Sequence, residues 1–271
     1  GRYIEHVHSI LTLYDEIIVY NINDVSMDDY ENFFMFCENV GFEENYITYA
    51  KYKEYIRKFK INNFVETEYI IEKQRMIKDD DELSSIIKAC NVTDDCFKHI
   101  TNYIKPGMTE KQIAKEIENY YTQNAEGLSF ETIVASGENS SKPHAVPTER
   151  KIQEKDIITI DMGCKVNGYC SDMTRTIFVG EPTEEMKKVY DLVLNNQKFA
   201  LDQYKDGANA RQITKMVESN FKLNGGYDLI HSLGHGVGLE IVEEITKRYN
   251  GKMERKIQDN IYETHIILKT E

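Results

Sequence analysis

Asp161 and Asp172 lie in two apolar runs, DIITIDMG (156–163) and YCSDMTRTIFV (169–179), joined through Asn167-Gly168. Asn-Gly is the strongest short-range hairpin signal, because both central residues of its tight turn need positive φ. A two-residue turn there opposes Val166 to Tyr169 and Asp161 to Thr174. Asp172 then shares the face of Asp161 as a diagonal neighbour, about 7–8 Å away at the backbone. Two carboxylates that converge from that separation can hold a divalent cation between them. A solvent-facing pair is the plainer reading, but both aspartates sit among strongly apolar residues and no Lys or Arg falls on their face. Carboxylates on an inward face need a partner that compensates their charge, which favours the cation.

The stretch HSLGHGVGLEIVEE (231–244) offers nitrogen ligands. His231 and His235 stand among Gly234, Gly236 and Gly238, which allow close backbone approach to a ligand or another strand. A single histidine is more often structural than a ligand; one clasped by glycines and facing two aspartates points to metal. His144, in SKPHAVP, sits in a loop stiffened by Pro143 and Pro147. Loop histidines are usually just exposed, but this one precedes the aspartate hairpin and is placed to donate a proton or hydrogen bond to a substrate.

These residues need a scaffold. Residues 15–22 (DEIIVYNI) read as a strand and 26–41 as a helix that Ser26 caps and Gly41 ends. From Asp80 to about Tyr103, Leu83, Ile86, Ile87, Cys90, Val92, Cys96, Phe97 and Ile100 recur at helical spacing, and Lys105-Pro106-Gly107 stops the run. Thr109 and Gln112 are spaced as a capping box for the next helix. Residues 105–121 lie over 205–221 with Lys105/Lys205, Gly107/Gly207, Gln112/Gln212, Ile113/Ile213, Lys115/Lys215 and Glu118/Glu218 identical. Two amphipathic helices can match by composition alone, but identities in register that include the turn glycine favour duplication. The expected fold is α+β, with two similar halves and a site between them.

Composition excludes other classes. A net charge of −13 over 271 residues and a pI near 5.1 repel nucleic acid and anionic membrane surfaces. No apolar run is long enough to cross a bilayer, and the N-terminus lacks a basic region followed by an apolar core, so the expected location is cytoplasmic. Cys37, Cys90, Cys96, Cys164 and Cys170 form no CxxC pair and read as buried small hydrophobes.

From about residue 73 onward, SGENSSKPHAVPTERKI, DIITIDMGCKVNGYCSDMTRT and HSLGHGVGLE together resemble the pita-bread metallopeptidase family of Xaa-Pro aminopeptidases, prolidases, methionine aminopeptidases and creatinase. GRYIEHV and GFEENYITYAKYKEY are similar to the later part of the family's N-terminal domain. The resemblance implies a partial α/β creatinase-type domain over 1–72. A pita-bread domain with an internal pseudo-twofold repeat, shortened at its C-terminus, follows over 73–271. It also implies that Asp161, Asp172 and His235 are metal ligands, that His144 contacts substrate, and that His231 marks the Xaa-Pro branch. The implied cofactors are two divalent ions, manganese first and cobalt or zinc as alternatives. They activate a hydroxide that removes an N-terminal residue before proline. Proline-containing peptides are the implied partners, and the family often forms homodimers.

Two departures qualify this. The repeat sets Glu263 against Asp161 and makes it the candidate for a further ligand, although another register would put Gln258 there. By the same symmetry the bridging carboxylate, twin of Asp172, falls beyond Glu271. Val242 stands where Xaa-Pro peptidases carry a histidine. Losing one transition-state donor costs on the order of a hundredfold to a thousandfold in rate. A catalytically impaired relative that binds peptides is therefore the alternative reading, and a creatinase-like amidinohydrolase a weaker third.

Overall fold

The computed structural model describes residues 37–205, 207–230, 233 and 234, the backbone of 252–258 and 261–267, and residues 26, 29, 32, 34 and 35. The chain divides into two compact units, Gly1–Gln74 and Arg75–Glu271.

In the first unit β1 (Val40–Glu43) and β2 (Phe64–Thr67) pair in parallel, Val40 opposite Phe64, through the crossover helix α1 (Tyr49–Phe59). Thr48 caps α1 by accepting from the Lys51 amide, and Lys60 ends it in the left-handed region at φ 50°. The rings of Phe42, Tyr52 and Phe64 pack at centroid separations of 4.5–5.4 Å and seat the helix on the strands. A short helix, α2 (Ile70–Met76), follows. Ser26 does cap: its hydroxyl accepts from the Asp29 amide and its own amide donates to the Asp29 carboxylate. Gly41, however, does not end a helix. It lies inside β1, where a Cβ would come within 2.9 Å of Thr67 Cγ2, so the glycine serves close strand approach. The expected strand over 15–22 lies outside the described residues.

The second unit begins with α3 (Asp80–Tyr103) and α4 (Glu110–Asn124), each opened by a capping box, Asp79/Glu82 and Thr109/Gln112. Their inner faces cover a three-stranded antiparallel sheet of β4 (Ile157–Met162) between β3 (Ile133–Ser136) and β7 (Met173–Phe178). Ala89, Cys96, Ile100, Ile113, Ile117 and Tyr121 of the helices meet Val134, Ile158, Ile160 and Met162 of the sheet, all fully buried. Each large side chain so buried contributes about 1.5–3 kcal/mol. The stripe on α3 runs through Leu83, Ser85, Ala89, Thr93, Cys96, Phe97 and Ile100. Ile87 and Cys90, expected on that stripe, are exposed. Cys37 and Cys170 are also exposed, so only Cys96 and Cys164 behave as the buried hydrophobes expected of all five.

The second pair, α5 (Glu184–Gln203) and α6 (Ala210–Gly225), repeats the first at an offset of one hundred residues. Asn209 caps α6 as Thr109 caps α4. Gly107 and Gly207 both adopt positive φ, +92° and +72°. Ile213 and Val217 are buried as Ile113 and Ile117 are. Two further strands, β8 (Lys252–Gln258) and β9 (Ile261–Ile267), pair antiparallel. No helix among the described residues is long and apolar enough to cross a membrane.

Candidate metal centre

Asn167 and Gly168 both take positive φ, 51° and 80°, and form the expected mirror-type turn between two short strands, β5 (Lys165–Val166) and β6 (Tyr169–Cys170). Val166 opposes Tyr169 and Asp161 opposes Thr174, as the spacing predicts. Ser171 and Asp172 sit between β6 and β7, yet the backbone register is kept there by a Ser171 N–H to Cys164 carbonyl bond of 2.9 Å. Burial alternates through Ser171, Asp172, Met173 and Thr174, which puts Asp172 on the outward face with Thr174 and Asp161.

That face is the less buried of the two. Asp161 is half-buried and Asp172 exposed, whereas the alternate residues Ile160, Met162 and Met173 point into the core. The inward placement expected for the pair is thus corrected: the core-facing side of the sheet is taken by α3 and α4, and the other carries Thr159, Asp161, Thr174 and Thr176 beside the half-buried Ile133, Ile157 and Phe178.

The Asp161 carboxylate and the backbone beside Asp172 are both held by neighbours. Thr174 Oγ1 donates to Asp161 Oδ1 at 2.7 Å and fixes the rotation of that carboxylate. The Ser171 hydroxyl, next to Asp172, is buried against Thr93 Oγ1 at 2.7 Å and accepts from the Cys164 amide at 3.0 Å. Tyr121 donates its phenol to Thr93, and burial pushes the Tyr121 phenol well above its ordinary range. Ser129 Oγ donates to the Ser171 carbonyl at 2.8 Å. Gly163 makes this approach possible, since a Cβ there would lie 2.0 Å from the Ser171 carbonyl oxygen. Sequence reasoning singled out neither Ser171 nor Gly163, although each is two residues or fewer from a candidate ligand.

His144 is exposed in a turn that follows a 3-10 helix at Gly137–Ser141. Its loop rests on Glu110, a fully buried carboxylate at the first position of α4. Burial raises the Glu110 pKa, but hydrogen bonds from the hydroxyls and amides of Thr148 and Ser136 outweigh it and hold the carboxyl below its ordinary range. Arg150 pairs with Asp156 through both nitrogens, at 2.6 and 2.9 Å, and donates to Ser136 Oγ at 2.8 Å. In sequence Glu110 looks like any acid in the first turn of a helix. Only its twin in the repeat, Ala210, could have marked it.

His231, His235 and Val242 lie outside the described residues. Glu263 is on β9 opposite Lys256, and Gln258, its alternative, ends β8 on the same hairpin. Among the described residues no group of three or more His, Cys, Asp or Glu side chains is gathered for a metal ion. Asp161 and Asp172 share one face of the sheet, and carboxylate oxygens are the donor type that hard divalent cations take.

Residues 84–264 match metallopeptidase family M24, and residues 8–77 match the creatinase/prolidase N-terminal domain. An Xaa-Pro dipeptidase of Pyrococcus furiosus is 36% identical over 208 residues, 76% of this chain and 60% of the relative. An uncharacterized peptidase of Bacillus subtilis is also 36% identical over 208 residues, 76% of this chain and 59% of the relative. The match therefore spans about three-fifths of the length of these curated relatives. Among solved structures, an X-Pro aminopeptidase from Thermotoga maritima superposes with a TM-score of 0.77 at 29% identity, covering 90% of this chain and 69% of that one. The prolidase of Pyrococcus furiosus gives 0.72 at 33%, covering 88% and 70%. With the creatinase-type domain in front and the pita-bread architecture behind it, the chain belongs to metallopeptidase family M24.

Proposed function

We propose that the chain is part of a peptidase that uses divalent metal to release an N-terminal residue preceding proline. The observation that carries this is the register of β4 with β7, which sets Asp161 opposite Thr174 and brings Asp172 to the same open face. The similarity to an Xaa-Pro dipeptidase and a prolidase of Pyrococcus furiosus supports the substrate class. Asp161 and Asp172 would hold the metal together with His235 and Glu263, with manganese as the leading ion and cobalt or zinc as alternatives.

Bound divalent metal lowers the pKa of water and polarises a peptide carbonyl. The chain's own residues do the rest. Thr174 keeps the Asp161 carboxylate turned outward through its 2.7 Å hydrogen bond. Ser171, clasped by Thr93, Cys164 and Ser129, holds the backbone of Asp172 in place. His144 on its exposed turn is positioned to hydrogen-bond the substrate, with His231 as a further catalytic histidine. A cytoplasmic site of action and a homodimeric state complete the proposal, the first supported by the absence of a disulfide pattern among the five cysteines.

Val242 favours a second reading, a peptide-binding member with impaired catalysis, because valine cannot donate where the branch carries histidine. Incubating the chain with Xaa-Pro dipeptides and longer Xaa-Pro peptides at saturating manganese separates the two. Metal-stimulated release of the first residue supports the peptidase. Peptide binding without release, not rescued by Val242→His alone, supports the binding module.

A further inference from the structure

The loop that carries His144 is closed at its base by one buried group. Glu110 Oε1 accepts from the Ser136 amide at 2.7 Å and the Ser136 hydroxyl at 2.8 Å, just before the loop. Its Oε2 accepts from the Thr148 amide at 2.9 Å and the Thr148 hydroxyl at 2.6 Å, just after it. Between them Asn139 Nδ2 donates to the same Oε2 at 3.0 Å and to the Val146 carbonyl at 3.4 Å. Lys142 Nζ in turn donates to Asn139 Oδ1 at 3.2 Å. Gly137, at φ +51°, passes so close to Arg150 that a Cβ would fall 2.3 Å from its guanidinium. The stretch 137–148 is thus a closed surface loop gripped at both ends and once in the middle, with His144 at its exposed turn.

We propose that Glu110 is a positioning residue for the reaction: it sets the pose of the His144 loop, so that His144 meets the substrate already in place. The proposal rests on the peptidase reading for the role of His144, but not for the grip itself. A carboxylate is required because every atom facing it is a donor or a rotatable hydroxyl. An amide in its place would turn an NH2 against amide donors on one side or the other.

Glu110→Gln keeps the volume and breaks the grip. In the whole chain it is expected to lower kcat/KM on an Xaa-Pro peptide by about a hundredfold, the usual scale for a misplaced catalytic group. Combined with His144→Ala it should add less than about a further twofold, because both changes remove one function. Hydrogen exchange of residues 137–148 should quicken in Glu110→Gln while α3 keeps its protection. Losses that multiply in the double variant would make Glu110 a mere support of the fold and overturn the proposal. Unchanged exchange across 137–148 would overturn it whatever the kinetics. If the unaltered chain shows no turnover, the peptidase reading fails by itself. The grip is then judged by exchange and by the His144 imidazole NMR signal, which must broaden or shift in Glu110→Gln.

Discussion

The helix pairs α3–α4 and α5–α6 share a frame but not what the frame supports. Both have a polar cap one hundred residues apart, Thr109 and Asn209, and a positive-φ glycine just before it. Both bury the same two positions, Ile113 and Ile117 in one, Ile213 and Val217 in the other. Yet Glu110, buried beneath the His144 loop, is matched by an exposed Ala210. Thr93, whose hydroxyl meets that of Ser171 beside Asp172, and Tyr121, which donates to Thr93, are matched by Val193 and Phe221. The residues that shape the helices recur in both copies, and among the described residues only the first copy carries the polar groups that hold a candidate ligand and a candidate substrate contact.

The largest test of that contrast exchanges the twins. Glu110→Ala strands donors in the core and is expected to cost about 3 kcal/mol or more in urea unfolding, whereas the exposed Ala210→Glu should change stability by less than about 0.5 kcal/mol. A matching pH effect is expected. The folded Glu110 carboxyl titrates below its ordinary value of 4.5, so its contribution is complete above that value and is lost as the pH falls through the folded one. Glu110→Gln should remove this part of the acid transition.

Next in size, Thr93→Val makes the first copy like the second at the Ser171 contact. We expect a loss of about 1–3 kcal/mol. Manganese affinity, followed by titration, should fall about tenfold because Asp172 loses its backing. Val193→Thr, at a half-exposed position, should be close to neutral. Smaller and equal in both copies are Gly107→Ala and Gly207→Ala. Neither Cβ would meet an atom within 4 Å, so only the left-handed backbone counts, about 1–2 kcal/mol each by thermal denaturation. Smallest are Thr109→Ala and Asn209→Ala, about 1 kcal/mol each. Unequal costs in the glycine pair would break the symmetry of the frame.

Much of this frame was legible in the sequence because it rests on local rules. Periodicity and caps placed α3 and α4, and Asn167-Gly168 set the register of the aspartates, since a two-residue turn leaves no freedom in strand pairing. Gly41 misled because a glycine after an amphipathic run looks the same whether it ends a helix or opens a strand. Its contact with Thr67 is set by a strand more than twenty residues later. Ile87 and Cys90 misled because helical spacing marks an apolar stripe without saying which side of it meets the sheet. Glu110 and Ser171 were not legible, because their role depends on donors brought from distant loops, which no local pattern records.

The most direct test of the metal centre is manganese titration calorimetry on the 271-residue chain beside its Asp161→Ala and Asp172→Ala variants. If the face shared by β4 and β7 is the metal site, the unaltered chain binds manganese and each variant loses at least about a hundredfold in affinity, more than loss of an outer-shell contact alone. Manganese binding that is unchanged in both variants would contradict it.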